Sequence, residues 1–489
     1  MTSGPHSTGR HVAVIGGGIA GLATAFALHE QAEAAGLPLE CTILEAALTW
    51  GGKILTHRVG DLLIEAGPDS FLSQKSWGLQ LCEKLGLADR VINTNEQQKA
   101  TFVYSRGRLR PLPEGLVLIV PTKLGPFFRS GLVSWAGIVR MGMDLTLPAR
   151  PPNGDESLAA FFTRRLGREA FERLVEPLMA GIYAGDAGQM SLRATFPRFS
   201  EIEQRYGSLI RGMLAERNAA GKRGTGGATK RTMFVTLRGG VGELIEALLT
   251  RLRAAGVTLR SGVEVTAVKA RPTTPAGSHR YEVHCGTGTT IHADSVVLAT
   301  PAFVSSEFVR PLSPEAAGLL DTIPYASTAT VSLAYASGQV SGAVTGFGFV
   351  VPRVEQRALL AATWTSSKWP HRAPSSQTLI RCYVGGVGRE EWLKTDDATL
   401  VARIRQELRD IAGLVGEPQY VEVKRWDRGM PQYTLGHLDR VDRIQLLMKE
   451  ARGLFLAGAA YRGVGIPDCI RDGNDTAAMV LRYLKEGGR

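Results

Sequence analysis

The chain has 489 residues, 44% of them hydrophobic and 21% charged, which is typical of a globular protein with two or three domains. Its five cysteines are scattered and form no C-x-x-C pair, which argues against a disulfide framework and predicts a reducing, cytoplasmic setting. The net charge is +11, and a nucleic-acid-binding protein would usually gather such charge in a basic tract. Here only a short glycine-rich run, Gly221–Arg231, is locally basic, so we expect no nucleic-acid partner. The excess charge favours either an ordinary solvated surface or the steering of an anionic substrate.

Nothing in the sequence predicts a membrane span. The first ten residues are polar and lack the apolar core of a signal peptide. No run approaches the roughly 18 apolar residues that a spanning helix needs. Residues 115–142 are locally apolar but are interrupted by prolines and cations. This stretch predicts either a helical core segment or a surface that lines a cavity or contacts a membrane, so peripheral membrane contact stays open.

A dinucleotide-binding pattern begins at His11. Val12–Ile15 predicts a strand and Leu22–Glu33 predicts a helix. The turn between them has G-x-G-x-x-G spacing and consists of Gly16, Gly17, Gly18, Ile19, Ala20 and Gly21. Such glycines permit a tight bend, close approach of the backbone to a pyrophosphate, and close packing of helix on strand. The helix N-terminus adds unpaired N–H groups for phosphate oxygens. This spacing alone does not distinguish NAD from FAD.

Three later segments extend the pattern. Glu45 closes the second predicted strand, Leu39–Leu44, slightly beyond the usual spacing of about 20 residues for a carboxylate that binds ribose. The alternative for Glu45 is a strand-end carboxylate without a ligand. Gly51–Lys53 is a glycine pair followed by a cation, a feature of amine-oxidase-type flavoproteins near the cofactor phosphates. Glu65–Phe71 contains a tight turn with open backbone amides, a second approach to the cofactor.

The remaining elements alternate between helical and strand patterns. Residues 73–90 predict an amphipathic helix, 101–113 a hairpin, 156–218 several helices, and 258–269 a single alternating strand. A buried strand at 294–301 ends in small residues. Near the C-terminus a strand at 454–458 is followed by a glycine-rich turn, Gly463–Asp468, which opens the last helix.

Together these elements predict an α/β protein with an FAD-binding Rossmann-type fold, of the amine-oxidase-like and p-hydroxybenzoate-hydroxylase-like class. The predicted FAD-binding domain comprises residues 10–75, 230–301 and 425–489. A helical domain, 80–215, is inserted and includes the cavity-lining or membrane-contacting stretch. Residues 302–424 form a substrate-binding sheet with a helix. The second glycine pair and the late glycine turn disfavour an NAD-dependent dehydrogenase. No Cys/His cluster has metal spacing, so we expect FAD and no metal.

Five stretches carry a more specific resemblance: Arg58–Leu72, Glu176–Asp186, Thr363–His371, Met430–Tyr433 and Gly463–Ile470. Over nearly its whole length the chain resembles the porphyrinogen-oxidising flavoenzymes of haem synthesis. It is most similar to the coproporphyrinogen-oxidising type of Gram-positive bacteria. The resemblance implies FAD contacts at Gly16–Gly21, Glu45, Ala46, Lys53, Gly67, Pro68, Asp69, Ser70, Val265, Trp426, Val464, Gly465 and Ile466. For Val265 and Trp426 the alternative is an ordinary core side chain.

The resemblance also implies three substrate-binding residues. Lys75 would face the cavity and pair with a propionate, Gly181 would leave room for the macrocycle, and Tyr383 would line the cavity. The alternative for Lys75 is an exposed helix lysine, and the alternative for Tyr383 is a buried strand tyrosine. Protoporphyrinogen-type enzymes often carry an arginine where this chain has Thr101, which favours coproporphyrinogen as the substrate.

The implied reaction is a six-electron oxidation of coproporphyrinogen III to coproporphyrin III, in three hydride transfers to the flavin, with O₂ reduced to H₂O₂. Hydride chemistry belongs to the cofactor, so no catalytic acid or base is assigned. Transient contact with other enzymes of haem synthesis is also expected. The alternatives are a protoporphyrinogen IX oxidase, an amine oxidase on the same fold, and a flavin-binding protein without enzymatic activity. The net charge of +11 suits an amine oxidase poorly, because its substrates are cations.

Overall fold

The computed structural model describes residues 9–113, 116–117, 120–121, 127, 130–151, 154–222, 231–271, 280–340 and 345–487. The predicted loop Gly221–Arg231 lies mostly outside the described residues, as does part of the apolar stretch at 115–142.

A five-stranded parallel sheet forms the base of the molecule. Its strands, in spatial order, are Thr258–Ser261, Leu39–Glu45, Arg10–Ile15, Ser295–Leu298 and Leu454–Leu456. Side chains alternate along the central strand: Val12 and Val14 enter one hydrophobic core, and Ala13 and Ile15 enter another on the opposite face. Burial on both faces explains the continuous apolar runs in these strands.

Different layers cover the two faces of this sheet. The helices on one face are Ile19–Ala34, Gly242–Ala254 and Ile466–Lys485. On the other face lie the antiparallel strands Val265–Ala270, Tyr281–Cys285 and Thr290–Ala293, and the helices Ala302–Val309, Pro314–Asp321 and His437–Met448. The prediction of one strand over 258–269 is wrong. The chain bends at Gly262, which has a φ of +70°, and its two halves join different sheets.

A seven-stranded sheet stands beside the parallel one. Its strands, in spatial order, are Tyr420–Pro431, Tyr325–Ala336, Gln377–Gly385, Leu359–Trp364, Gly348–Val350, Thr101–Ser105 and Arg108–Pro111. The helix Asp397–Ala412 packs its apolar side on one face, against residues such as Val331 and Cys382. The predicted hairpin at 101–113 exists, but it pairs with this sheet rather than with the helices, and the strand Tyr420–Pro431 runs across the predicted boundary at residue 424.

The inserted region is mainly helical. Its described helices are Trp135–Gly142, Leu158–Leu166, Arg168–Ala170, Glu176–Tyr183, Leu192–Thr195, Pro197–Tyr206 and Leu209–Lys222, with a π-helical turn at Phe171–Val175. The helix predicted at 73–90 is shorter, Ser76–Lys84, because Gly86 turns the chain with a φ of +75°. A helix at Thr365–Lys368 precedes the strand Gln377–Gly385.

Short strand pairs complete the fold: Thr56–Val59 with Leu62–Glu65, Phe71–Leu72 and Val91–Asn93 on either side of Phe234–Leu237, and Leu116–Val117 with Val120–Pro121. Among the described residues, no helix is long and apolar enough to cross a membrane, and no cluster of His, Cys, Asp or Glu could hold a metal ion. All five cysteines are buried thiols.

Candidate functional site

A cavity of about 520 Å³ lies at the carboxyl ends of the parallel strands. This is where open α/β sheets bind their ligands. Eleven residues predicted to contact a cofactor line it together: Gly16, Gly18, Ile19, Ala20, Glu45, Ala46, Lys53, Pro68, Val265, Val464 and Ile466. These residues come from both ends of the chain, so folding brings the N-terminal and C-terminal glycine-rich turns to a single cavity.

The N-terminal turn, Gly16–Gly21, owes its shape to its glycines. Gly16 has a φ of +110°, and a Cβ on Gly21 would lie 1.9 Å from the Gly16 carbonyl oxygen. Gly17 has no room for a side chain either, because a Cβ there would lie 2.4 Å from the Trp50 ring. Gly18 differs from these three, because its Cβ would have only the Gly52 Cα within 4 Å. The open side of Gly18 belongs to the cavity wall.

Glu45 anchors this turn. One carboxylate oxygen accepts the Gly17 N–H at 2.6 Å, and the other accepts the Ala47 N–H at 2.8 Å. Each oxygen keeps a lone pair for a further donor, so the carboxylate can hold the turn and still accept a ribose hydroxyl. Glu45 therefore organises the turn, and its contact with a ribose stays a prediction.

Lys53 supplies a cation to the cavity. It lies deep in the protein, yet much of its surface is accessible, because that surface faces the cavity. Burial lowers the pKa of its ammonium group, and the Cys469 sulfur opposes this only in part. Among the described residues, no carboxylate forms an ion pair with Lys53. A phosphate would supply the missing negative charge, so the open wall at Gly18 and the cation at Lys53 both fit a dinucleotide cofactor.

The turn Ala66–Ser70 is held by side chains of the seven-stranded sheet. The Ala66 carbonyl accepts hydrogen bonds from Trp426 Nε1 at 2.9 Å, Thr330 Oγ1 at 3.0 Å and Arg381 Nη2 at 3.3 Å. The Arg381 guanidinium also donates to the Gly67 carbonyl. A Cβ on Gly67 would lie 1.7 Å from the Lys53 carbonyl oxygen, so glycine is required where these two segments meet. Trp426 thus fixes this turn through its indole N–H.

Asp69 is a second fixed point in the same turn. It pairs with Lys368 at 3.1 Å, accepts the Trp369 indole N–H at 3.3 Å, and accepts the Ser70 hydroxyl at 2.6 Å. Burial alone would raise the pKa of Asp69, but Lys368 and Arg381 hold it below its usual range. Asp69 and Ser70 therefore stabilise the turn rather than line the cavity wall.

The C-terminal turn, Gly463–Ile466, opens the helix Ile466–Lys485 with Gly465 as its N-cap. Gly463 has a φ of +146°, and a Cβ there would lie 2.4 Å from the Asp468 Cβ. Asp468 is buried, and its carboxylate lies 2.5 Å from the Lys75 ammonium. The charge of Lys75 is thus already matched by a carboxylate of the protein, so a substrate propionate would have to replace Asp468.

The other two proposed substrate residues have different surroundings. A Cβ on Gly181 would meet nothing within 4 Å, and the residue is exposed. Tyr383 lies half-buried under the Arg381 guanidinium, 4.9 Å from the ring centroid, with its hydroxyl 3.5 Å from Thr363 Oγ1. Lys75, Gly181 and Tyr383 do not line the cavity described above.

The sequence patterns did not indicate Arg381, Thr330 or Lys368. Their roles depend on contacts made across more than 260 residues, which periodicity does not reveal. Lys368 does fall in Thr363–His371, one of the five stretches that carry the resemblance. The family resemblance of this stretch is therefore the sequence signal that could have identified Lys368.

The fold and the cavity define a flavin-dependent oxidoreductase. A model of the family of flavin-containing amine oxidoreductases matches residues 19–481, and the chain belongs to this family. The predicted fold class is thereby confirmed, and a flavin is the family's cofactor.

Within this family, the chain is similar to named porphyrinogen oxidases. It is 39% identical to the coproporphyrinogen III oxidase of Bacillus subtilis, over 97% of this chain and 98% of that protein. The coproporphyrinogen III oxidase of Staphylococcus aureus is 35% identical over 97% of this chain and 100% of its own length. The chloroplastic protoporphyrinogen oxidase 1 of Arabidopsis thaliana is 31% identical over 96% of this chain and 88% of its own length. The predicted relationship to porphyrinogen-oxidising flavoenzymes is confirmed.

Solved structures agree with this grouping. An Exiguobacterium protein, provisionally named a protoporphyrinogen oxidase, superposes with a TM-score of 0.84 and 32% identity, over 98% of this chain and 100% of that one. Putrescine oxidase bound to putrescine superposes with a TM-score of 0.65 and 15% identity, over 97% of this chain and 99% of that one. At that identity the second likeness shows the shared fold alone.

Substituting Gly18 with alanine separates the fold from cofactor binding. Alanine is unstrained at the Gly18 φ of −75°, and its methyl group would stand at the cavity wall without striking the protein. We expect an unchanged melting temperature of the apoprotein and a flavin Kd raised roughly tenfold or more, measured by fluorescence titration. Gly318→Ala is the matched control, since a Cβ there also meets nothing within 4 Å but lies on a helix away from the cavity. Full flavin affinity in Gly18→Ala would contradict the assignment of this cavity.

Proposed function

We propose that the protein is an FAD-dependent coproporphyrinogen III oxidase that forms coproporphyrin III in haem synthesis. The observation that carries the proposal is the 39% identity to the Bacillus subtilis enzyme across 97% of this chain. The reaction removes six electrons and six protons from the macrocycle and reduces three O₂ to three H₂O₂. Bound FAD would accept hydride from the macrocycle and pass two electrons and two protons per round to O₂.

The proposed FAD site uses both glycine-rich turns. Gly16–Gly21 and the N-terminus of the following helix would bind the pyrophosphate, Lys53 would add a positive charge, and Glu45 with Ala46 would bind the ribose. Val265 would contact the adenine through its backbone. The flavin end would lie against the turn Gly67–Ser70, Trp426 and the turn Val464–Ile466. Helix N-termini and aligned backbone N–H groups suit a cofactor that gains negative charge on reduction.

The protein's own residues would bind and orient the macrocycle. Lys75 would exchange Asp468 for a propionate, Gly181 would leave space for the ring edge, and Tyr383 would pack beside it. No side chain is assigned as a catalytic acid or base, because aromatisation of the macrocycle provides the driving force. The net charge of +11 would favour the encounter with a tetra-anionic substrate.

Protoporphyrinogen IX is the second candidate substrate. It is favoured by the identity of 31% to the chloroplastic enzyme of Arabidopsis thaliana over 96% of this chain. Thr101 favours coproporphyrinogen, since it offers no positive charge for a propionate at that position. An amine substrate is more remote, because the likeness to putrescine oxidase, at 15% identity, is a likeness of fold alone.

The purified holoenzyme should discriminate between the two porphyrinogens. Under air, we expect kcat/KM for coproporphyrinogen III to exceed that for protoporphyrinogen IX, because the basic surface attracts four carboxylates more strongly than two. Porphyrin fluorescence and the yield of H₂O₂ report each turnover. A higher kcat/KM for protoporphyrinogen IX would move the assignment to the second candidate, and failure to oxidise either would refute both.

Gly181→Ala tests the proposed position of the macrocycle. Alanine in the helix Glu176–Tyr183 should preserve stability or raise it by about 0.5–1 kcal/mol, because glycine is the poorer helix former. If the macrocycle lies against Gly181, the added methyl group raises KM several-fold while the affinity for FAD stays unchanged. Steady-state kinetics and a flavin titration separate these effects. An unchanged KM would remove Gly181 from the substrate site.

We also propose a cytoplasmic location with peripheral membrane contact and transient contact with neighbouring enzymes of haem synthesis. Five buried thiols suit a reducing compartment. The membrane contact is supported by an apolar stripe at helical spacing: Trp135, Val139 and Met143 are exposed by 72%, 70% and 47%.

Sedimentation with vesicles tests this stripe. The protein should pellet with vesicles that contain anionic lipid, and Val139→Asp should abolish pelleting without changing turnover of the soluble substrate. Val415→Asp, at an exposed valine on another part of the surface (43%), is the matched control. Equal pelleting of the two variants and the wild type would refute contact through this stripe.

A further inference from the structure

The stretch Met430–Tyr433 has no role in the proposed reaction, yet it meets the C-terminal glycine turn. The Tyr433 hydroxyl accepts the Gly463 N–H at 2.7 Å and donates to the Ala459 carbonyl at 2.6 Å. Tyr433 is fully buried. Burial raises the pKa of its phenol well above the usual range, although the Gly463 N–H opposes the shift, so the hydroxyl keeps its proton and can serve as both donor and acceptor.

This single hydroxyl ties together both ends of the segment Ala459–Gly463. Gly463 begins the turn whose Val464 and Ile466 line the cavity, and Ala459 lines it as well. From the other side, Asp468 packs against Gly463 and pairs with Lys75 at 2.5 Å. The turn therefore lies between the neutral Tyr433 phenol and the Lys75–Asp468 ion pair.

Tyr433 is itself held in place. The His437 ring stacks on it at a centroid distance of 4.0 Å and an angle of 15°, and His437 Nε2 lies 2.8 Å from the Tyr461 carbonyl. The His437 nitrogen beside that carbonyl must therefore carry the proton. On the backbone of the same stretch, the Tyr433 carbonyl accepts the Ser191 N–H at 2.8 Å. The phenol has little freedom to leave the turn.

From these contacts we propose that Tyr433 is a positioning residue for the flavin end of the cofactor, acting through Gly463. The inference rests on the proposed FAD function. The phenol fixes the backbone N–H groups at the start of the helix Ile466–Lys485, where the helix dipole is positive. Loosening them weakens their interaction with a cofactor that becomes anionic on reduction. Tyr433 thereby raises both the affinity for FAD and the reduction potential of the bound flavin.

Tyr433→Phe tests the proposal, because it deletes one oxygen and leaves the Gly463 N–H and the Ala459 carbonyl without this partner. We expect the Kd for FAD to rise about tenfold or more and the flavin reduction potential to become more negative. Titration of apoprotein and dye-coupled reduction of holoenzyme measure the two quantities.

Tyr281→Phe is the matched control. The Tyr281 hydroxyl is also buried and donates to a backbone carbonyl, that of Arg452, at 2.6 Å, but Arg452, unlike Ala459, does not line the cavity. This variant should lose comparable thermal stability while keeping the wild-type Kd and potential. Wild-type values in Tyr433→Phe, or equal losses in both variants, would overturn the positioning role. A wild-type protein that binds no FAD would overturn the proposed function along with it.

Discussion

The carbonyl oxygen of Ala66 is the point on which the site depends. It accepts hydrogen bonds from three side chains of the seven-stranded sheet, those of Thr330, Arg381 and Trp426. A carbonyl oxygen has two lone pairs, so three donors saturate it. These bonds join the seven-stranded sheet to the turn Ala66–Ser70, whose Gly67 packs against the Lys53 carbonyl. Removing one donor would weaken this connection, and the carbonyl would keep its other two partners.

Charge is distributed unevenly around the cavity. Lys75 is matched by Asp468, and Lys368 is matched by Asp69, so both cations are neutralised within the protein. Lys53 differs, because no carboxylate among the described residues forms an ion pair with it. The cofactor phosphates would therefore bind the unpaired ammonium of Lys53. A substrate carboxylate at Lys75 would have to compete with Asp468. This difference predicts a permanent cofactor and an exchangeable substrate.

Local patterns predicted the parts of the fold that depend on neighbours in sequence. The glycine spacing at 16–21, the alternation of the strands and the glycine-rich turn that opens the last helix all follow from short-range sterics. The single strand predicted over 258–269 failed because Gly262 permits a bend that alternation does not reveal. The hairpin at 101–113 was predicted as a hairpin, but its partner, Gly348–Val350, lies far along the chain.

The candidate site, too, could be predicted only where its residues carry a local sequence signal. Both glycine-rich turns and Lys53 carry local signals, and the structure brings them to one cavity. The clamp on Ala66 and the grip of Tyr433 on Gly463 could not be predicted, since each joins segments that pack together only in the folded chain. Resemblance indicated the stretch Met430–Tyr433, but the physical reason for that stretch is visible only as a hydrogen bond.

The reductive half-reaction shows whether the bound flavin oxidises a porphyrinogen. Holoenzyme mixed with coproporphyrinogen III in the absence of O₂ should lose the visible absorption of its oxidised flavin, because the proposed reaction would transfer hydride from the substrate to the flavin. Admission of O₂ should restore that absorption and release H₂O₂. A flavin that stays oxidised under anaerobic coproporphyrinogen III would refute porphyrinogen oxidation by this protein.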